Sequence, residues 1–100
     1  MTAAEFFEAL PSRADASKTG GMNNSYVFDI DGAGTWTVRV ADGAVTVDDG
    51  DTGGDVTIST SAEVFEKIVA GEQNPTAAYM SGKLKVSGDL GQAMKLQKLF

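Results

Sequence analysis

Through the middle of the chain apolar residues return at every second position. Tyr26, Phe28 and Ile30 fall on one side of an extended segment, with Asp29 and Asp31 on the other. Gly32-Ala33-Gly34 turns the chain. Trp36, Val38 and Val40 then share a face, with Thr37 and Arg39 opposite. Asp42-Gly43 is a strong hairpin signal, because both residues tolerate positive φ, and Val45 and Val47 follow on a third strand. Asp55-Val56-Thr57-Ile58-Ser59 reads as a fourth. A fifth is bracketed by Gly82 and Gly88, with Leu84 and Val86 pointing one way and Lys83 and Lys85 the other. Strands with one apolar and one polar face predict a sheet that helices cover on one side only.

Helical spacing appears on either side of this run. Thr2 and Glu5 form a capping box for a helix to about Leu10, with Ala3, Phe6, Phe7 and Leu10 on one face. Pro11 is expected to end it. Residues 12–25 are polar and read as a long connection, either a plain surface loop or a flap over a site. Thr60 and Glu63 form a second capping box, before a stripe of Val64, Phe65, Ile68 and Val69. Gly71 suits the position after the helix, and Asn74-Pro75 starts a short helix through Ala77, Ala78, Tyr79 and Met80. Asp89 caps a closing helix, with Gln92 placed to reach back to it. That helix puts Leu90, Ala93, Met94, Leu96 and Phe100 on one broad face, with Gln97 inside the apolar sector and Leu99 outside it. Because helices separate the fourth and fifth strands, that connection can be a crossover, which predicts a mixed sheet. The fold class is therefore α+β.

Composition narrows the chemistry. One hundred residues make one domain, spanning 1–100. The chain has no cysteine and no histidine, which removes disulfides, thiol nucleophiles, histidine acid–base chemistry and the usual zinc ligands. No apolar run approaches the roughly 20 residues of a membrane span, and the first residues carry no signal-peptide pattern. A cytoplasmic location is expected. The net charge of −6 disfavours nucleic acid. Residues 1–60 hold 3 basic and 10 acidic groups, a net of −7, whereas residues 61–100 hold 5 and 4, a net of +1. The later part is thus the face suited to an anionic headgroup, although each of its lysines taken alone is more simply a solvated or paired surface charge.

Other motifs fail on spacing. The acidic stretch 48–55 lacks calcium-loop order, since counting twelve from Asp49 reaches Thr60 instead of a glutamate. Asp29 and Asp31 face the same way but have no predicted apolar surroundings to raise either pKa. Gly32-Ala33-Gly34 lacks a third glycine and precedes a strand, so it is no dinucleotide fingerprint. No catalytic site, metal site or cofactor is expected. Met22, Met80 and Met94 suit adaptable packing, or ordinary core.

The closing segment Gly82-Lys83-Leu84-Lys85-Val86-Ser87-Gly88-Asp89-Leu90-Gly91-Gln92-Ala93-Met94-Lys95-Leu96-Gln97-Lys98-Leu99 resembles the closing motif of the sterol-carrier-protein-two family. Trp36-Thr37-Val38, Asp42-Gly43, Asp55-Val56-Thr57-Ile58, Gly71, Asn74-Pro75 and Ala78 agree upstream. The likeness covers about residues 26–100 well and the first helix loosely. It implies a five-stranded mixed, mostly antiparallel sheet with helices packed on one face and a hydrophobic tunnel between. It also implies non-catalytic binding, with transfer, of fatty acid, fatty acyl-CoA, phospholipid or a sterol-like lipid. The implied lipid-binding residues are Phe28, Trp36, Val38, Phe65, Ile68, Val69, Tyr79, Met80, Leu84, Val86 and Gln97, with Met94, Leu96 and Phe100 as a movable wall. Lys83, Lys85, Lys95 and Lys98 are the expected contacts to an anionic membrane or acyl-CoA. Lys98-Leu99-Phe100 is not the peroxisomal tripeptide of animal members, and the first helix and tail are short for the family; the compact form and free start are similar to a free-standing prokaryotic member. A second reading stays open: an accessory or scaffolding domain that docks to a lipid-metabolising enzyme or self-associates.

Overall fold

The computed structural model describes residues 2–13, 23–42 and 44–95, with the side chains of Arg13 and Met94 excepted. The connection expected over residues 12–25 thus lies mostly outside the described residues. So do Leu96, Gln97, Lys98 and Phe100.

Helix α1 (Ala3–Arg13) precedes strands β1 (Asn23–Asp31), β2 (Gly34–Ala41), β3 (Ala44–Asp49) and β4 (Val56–Ser61). Helices α2 (Ala62–Val69) and α3 (Pro75–Met80) follow, then β5 (Leu84–Gly88) and α4 (Leu90–Met94). The five strands form one sheet in the order β3-β2-β1-β4-β5. β1 runs parallel to β4, and every other pair is antiparallel. The sheet is mixed, as expected, but for a different reason. The helical segment between β4 and β5 joins antiparallel neighbours. Parallel pairing arises at residues 50–55, which carry the chain from the β3 edge past β2 and β1 to β4.

That connection runs over the outer face of the sheet and buries part of it. Thr37, expected to face water, is fully buried there. Its hydroxyl donates to the Gly50 carbonyl at 2.7 Å and accepts from the Thr52 N–H at 3.0 Å. Arg39 donates to the Thr52 and Gly53 carbonyls and lies 3.8 Å from Asp48. Val27 is buried on the same side, where a Cβ at Gly54 would come within 3.1 Å of it. Sequence period places these side chains outward; only the route of the connection makes that face partly dry.

Local signals set most element ends. The Thr2 hydroxyl accepts from the Glu5 N–H at 3.2 Å, and the Glu5 carboxylate accepts from the Thr2 N–H at 2.9 Å. That backbone bond, joined by the hydroxyl, holds the Glu5 carboxyl below its usual range. The helix does not stop at Pro11 but continues to Arg13. Proline so near the end forfeits one backbone bond, to the Phe7 carbonyl, and leaves the preceding turns intact. The cap of α2 is Ser61, not Thr60: its hydroxyl accepts from the Val64 N–H at 3.2 Å. Thr60 is still an inward-facing strand residue opposite Leu84, and its hydroxyl donates to the Lys83 carbonyl at 2.8 Å. Helix α2 closes at Gly71, φ +82°, with Glu72 N–H bonding the Lys67 carbonyl and Gly71 N–H that of Ile68. Asn74 caps α3, and Asp89 caps α4.

Helices cover the other face. Ala3, Phe6, Phe7 and Leu10 of α1 and Phe65 and Ile68 of α2 pack with Tyr26, Phe28, Ile30, Trp36, Val38, Val56 and Ile58 in one core.

Candidate functional site

The layer between sheet and helices has two unlike halves. Over β1, β2 and β3 it is filled by rings. Phe7 stacks on Trp36 and on Phe65, with centroids 4.7 and 5.2 Å apart, and meets Phe28 at 5.2 Å. Phe6 touches Phe7 and Phe65 edge-on at 5.4 and 5.5 Å. These five aromatic rings pack on one another, beside an open groove of about 160 Å³ lined by Phe7, Pro11, Trp36 and Val47. Over β4 and β5 the side chains are smaller. Val56, Ile58, Leu84 and Val86 face α3 and α4, from which the alanines Ala78 and Ala93 are the buried contacts. Among the described residues, the expected tunnel between sheet and helices is not shown.

Of the residues implied to bind lipid, Phe28, Trp36, Val38, Phe65, Ile68 and Leu84 are buried in this layer. Val69 and Val86 pack against it from partly buried positions. Tyr79 and Met80 do not join it. They are 36% and 81% exposed, because α3 is only six residues long and turns just Ala78 inward. Leu90, expected on the apolar face of the closing helix, is 43% exposed. The Met94 side chain, Leu96, Gln97 and Phe100 lie outside the described residues. Lys83, Lys85 and Lys95 are exposed, and Lys98 lies outside the described residues. Lys83 and Lys85 share an open groove of about 360 Å³ on the outer face with Asp29, Asp31, Ser59 and Ser61. Among the described residues no cluster of three acidic, histidine or cysteine side chains is placed to hold a metal ion.

Polar groups at one end of the inner layer were not singled out from sequence as a site. Tyr26 is buried at the junction of the two halves, and its hydroxyl donates to the backbone carbonyl of Gln92 on α4 at 2.8 Å. Burial raises the Tyr26 pKa; the neighbouring Asn24 amide offsets part of this, and the charge of Asp55 adds to it. Asn24 precedes Tyr26 by two residues and so shares its inward face, where it is 8% exposed. Its Nδ2 lies beside the phenol without completing a hydrogen bond, and no other group supplies one. Gln92 does not reach back to Asp89 as its spacing suggested. Its Oε1 is buried and also without a partner. Asn24 lines an open groove of about 250 Å³ with Arg39, Val40, Ala41 and Asp55. The period-two pattern could have found Asn24; nothing in sequence joins Tyr26 to Gln92, 66 positions later.

A family model described as the SCP-2 sterol transfer family matches residues 4–100. Hydroxysteroid dehydrogenase-like protein 2 of Xenopus tropicalis is 35% identical over 99 residues, which span 95% of this chain and 24% of that protein. Sterol carrier protein 2 of Homo sapiens is 39% identical over 88 residues, 82% of this chain and 16% of that protein. The chain thus spans about a quarter or less of the length of these curated relatives. The solution structure of palmitated SCP2L2 from Aedes aegypti superposes with a TM-score of 0.79 at 22% identity, covering 99% of this chain and 94% of that one. At that identity the likeness concerns the fold.

Proposed function

Since the chain belongs to the SCP-2 sterol transfer family, we propose that it binds a lipid in the layer between sheet and helices, and holds or transfers it without chemistry of its own. The observation that carries this reading is the small size of the described side chains that α3 and α4 turn onto the β4–β5 half. Helix α4 is described over Leu90–Met94, its Leu90 is exposed, and its described inward contacts are Ala93 and the Tyr26 hydroxyl bond. An alanine buries little area, and one hydrogen bond nets about 1 kcal/mol. This element is read as the one that lifts, since the rings of the other half pack on one another. Lifting it would expose Leu84, Val86, Ile58 and Val56, an apolar floor for an acyl or ring system. An empty, dry cavity of about 300 Å³ would cost about 7 kcal/mol. The free protein is therefore read as the collapsed form and the lipid as what holds the layer open.

Phe28, Val38, Ile68, Leu84 and Val86 are proposed as lining, with the chain after Met94 as part of the wall. Lys83, Lys85 and Lys95 are proposed as the contact to an anionic membrane surface or acyl-CoA head. Native mass spectrometry of gently purified protein, then of delipidated protein mixed with long-chain lipids, tests the proposal. Bound lipid, or uptake by the delipidated form, is expected. Failure to retain or take up any lipid at any chain length would overturn it.

A further inference from the structure

We propose that the open part of the outer sheet face is an interface for a second copy of this chain, matched through stripes of opposite charge on β1 and β5.

On that face β4 lies between two charged strands. The register sets Asp29 beside Ser59 and Ser59 beside Lys85, one level across three strands. Two residues along, Asp31 lies beside Ser61, and Lys83 precedes Lys85 by two on the strand that runs the opposite way. The carboxylates therefore form one stripe, the ammonium groups another, and serines the floor between them. The four charged residues are exposed and the two serines half-buried, which shapes the groove of about 360 Å³. Neighbouring strands lie about 4.8 Å apart, so the two stripes stand about 10 Å apart. They do not pair within one copy: the ion pairs among the described residues are Arg39–Asp48 and Lys67–Glu63. Asp29 accepts one long hydrogen bond, at 3.5 Å, from the Thr35 hydroxyl.

This pattern is self-complementary. A half-turn about an axis nearly along β4, midway between two stacked sheets, lays β5 of the second copy over β1 and its β1 over β5. The turn keeps the level along the strands. Asp29 thus meets Lys85 of the second copy, Asp31 meets Lys83 of the second copy, and both pairs repeat by symmetry. Stacked sheets lie about 10 Å apart, a gap that a lysine from one side and an aspartate from the other can bridge. The serine floor has no long side chain to hold the sheets further apart. With a net charge of −6, two copies repel at long range, but this face brings together two groups of each sign. A simple anion or cation would meet its opposite on one stripe and its like on the other; a second copy answers both. Exposed pairs are each worth little and the patch is small, so the contact is transient, with a Kd on the order of 0.1–1 mM. It takes up Lys83 and Lys85, so pairing competes with the anionic contact proposed for them above.

Sedimentation velocity over a concentration series reaching about 1 mM reads the pairing. Asp29→Lys with Asp31→Lys, and Lys83→Asp with Lys85→Asp, should each weaken it at least about tenfold, since like charges then face each other. The first pair of changes also makes the chain less negative, so repulsion between whole molecules would predict tighter association instead. Mixing the two variants should restore the pairing, because every facing pair is then opposite in sign. A second measurement needs no variant. Zero-length carbodiimide crosslinking of an equal mixture of isotopically light and heavy parent protein should give mixed-label amides between Asp29 and Lys85 and between Asp31 and Lys83. A parent that stays monomeric at every concentration, variants that do not recover on mixing, or mixed-label crosslinks confined to other residues would overturn the interface.

Discussion

At Gly88 the backbone takes φ +114°, and a Cβ there would lie 2.7 Å from the Asp55 carbonyl oxygen. Both the conformation and the close approach exclude a side chain, so Gly88→Ala should cost about 2–4 kcal/mol, read as a lowered urea midpoint. Tyr26 gives a pH-dependent prediction. Its folded pKa is raised, chiefly by burial, so the folded state keeps its proton where the unfolded chain has lost it. Its contribution is complete below the ordinary tyrosine range and is lost as pH rises through that range and on to the raised value. Stability should therefore decline above about pH 10, and Tyr26→Phe should flatten that part of the profile. Urea titrations at several alkaline pH values check it. Sequence pattern alone put Tyr26, Phe28 and Ile30 on the inner face. It did not show that the phenol would meet α4, because that contact spans 66 positions and depends on how the last helix lies.

Among elements, the clearest lesson lies at the junction of β4 and α2. Thr60 and Glu63 have capping-box spacing, yet the pleat turns Thr60 inward and leaves Ser61 to cap. Register in the sheet overrides a local motif here, since moving the cap by one residue would pull Thr60 from its bond to Lys83. Ser61→Ala should cost about 1 kcal/mol, and Glu63→Ala a few tenths at most, by thermal or chemical denaturation. The connection over residues 50–55 carries a second prediction at this scale. Thr37→Val removes one acceptor and one donor from a buried site and should cost about 1–3 kcal/mol. Limited proteolysis should then cut between residues 50 and 54 faster, because Arg39 and the Gly50 N–H bond to the Thr35 carbonyl would be left to hold that segment.

For the molecule as a whole, ligand and stability are linked. A lipid that binds only the folded form, at about 100 times its Kd, adds about 2.7 kcal/mol. In a domain of this size that corresponds to a melting shift of about 10–20 °C. The shift should grow with acyl chain length until the β4–β5 half is filled, then level off; differential scanning fluorimetry against a chain-length series reads it. A shift independent of length would point to surface adsorption instead.

Sequence by itself determined the five strands, their apolar faces, the reciprocal Thr2–Glu5 cap, the Asn74 and Asp89 caps and the lack of histidine and cysteine chemistry. These are properties of neighbours along the chain: period, cap and composition. Its closing motif also carried the family likeness. Tertiary structure decided what depends on distant segments meeting. It set β1 beside β4 in parallel through residues 50–55, dried Thr37 and Val27 on the face meant for water, and left Met80 outside the core. It also packed aromatic rings over β1 and β2 and smaller side chains over β4 and β5, and brought the Tyr26 hydroxyl to the Gln92 carbonyl. No local pattern encodes that meeting, because partners so far apart in sequence are chosen only when the whole chain packs.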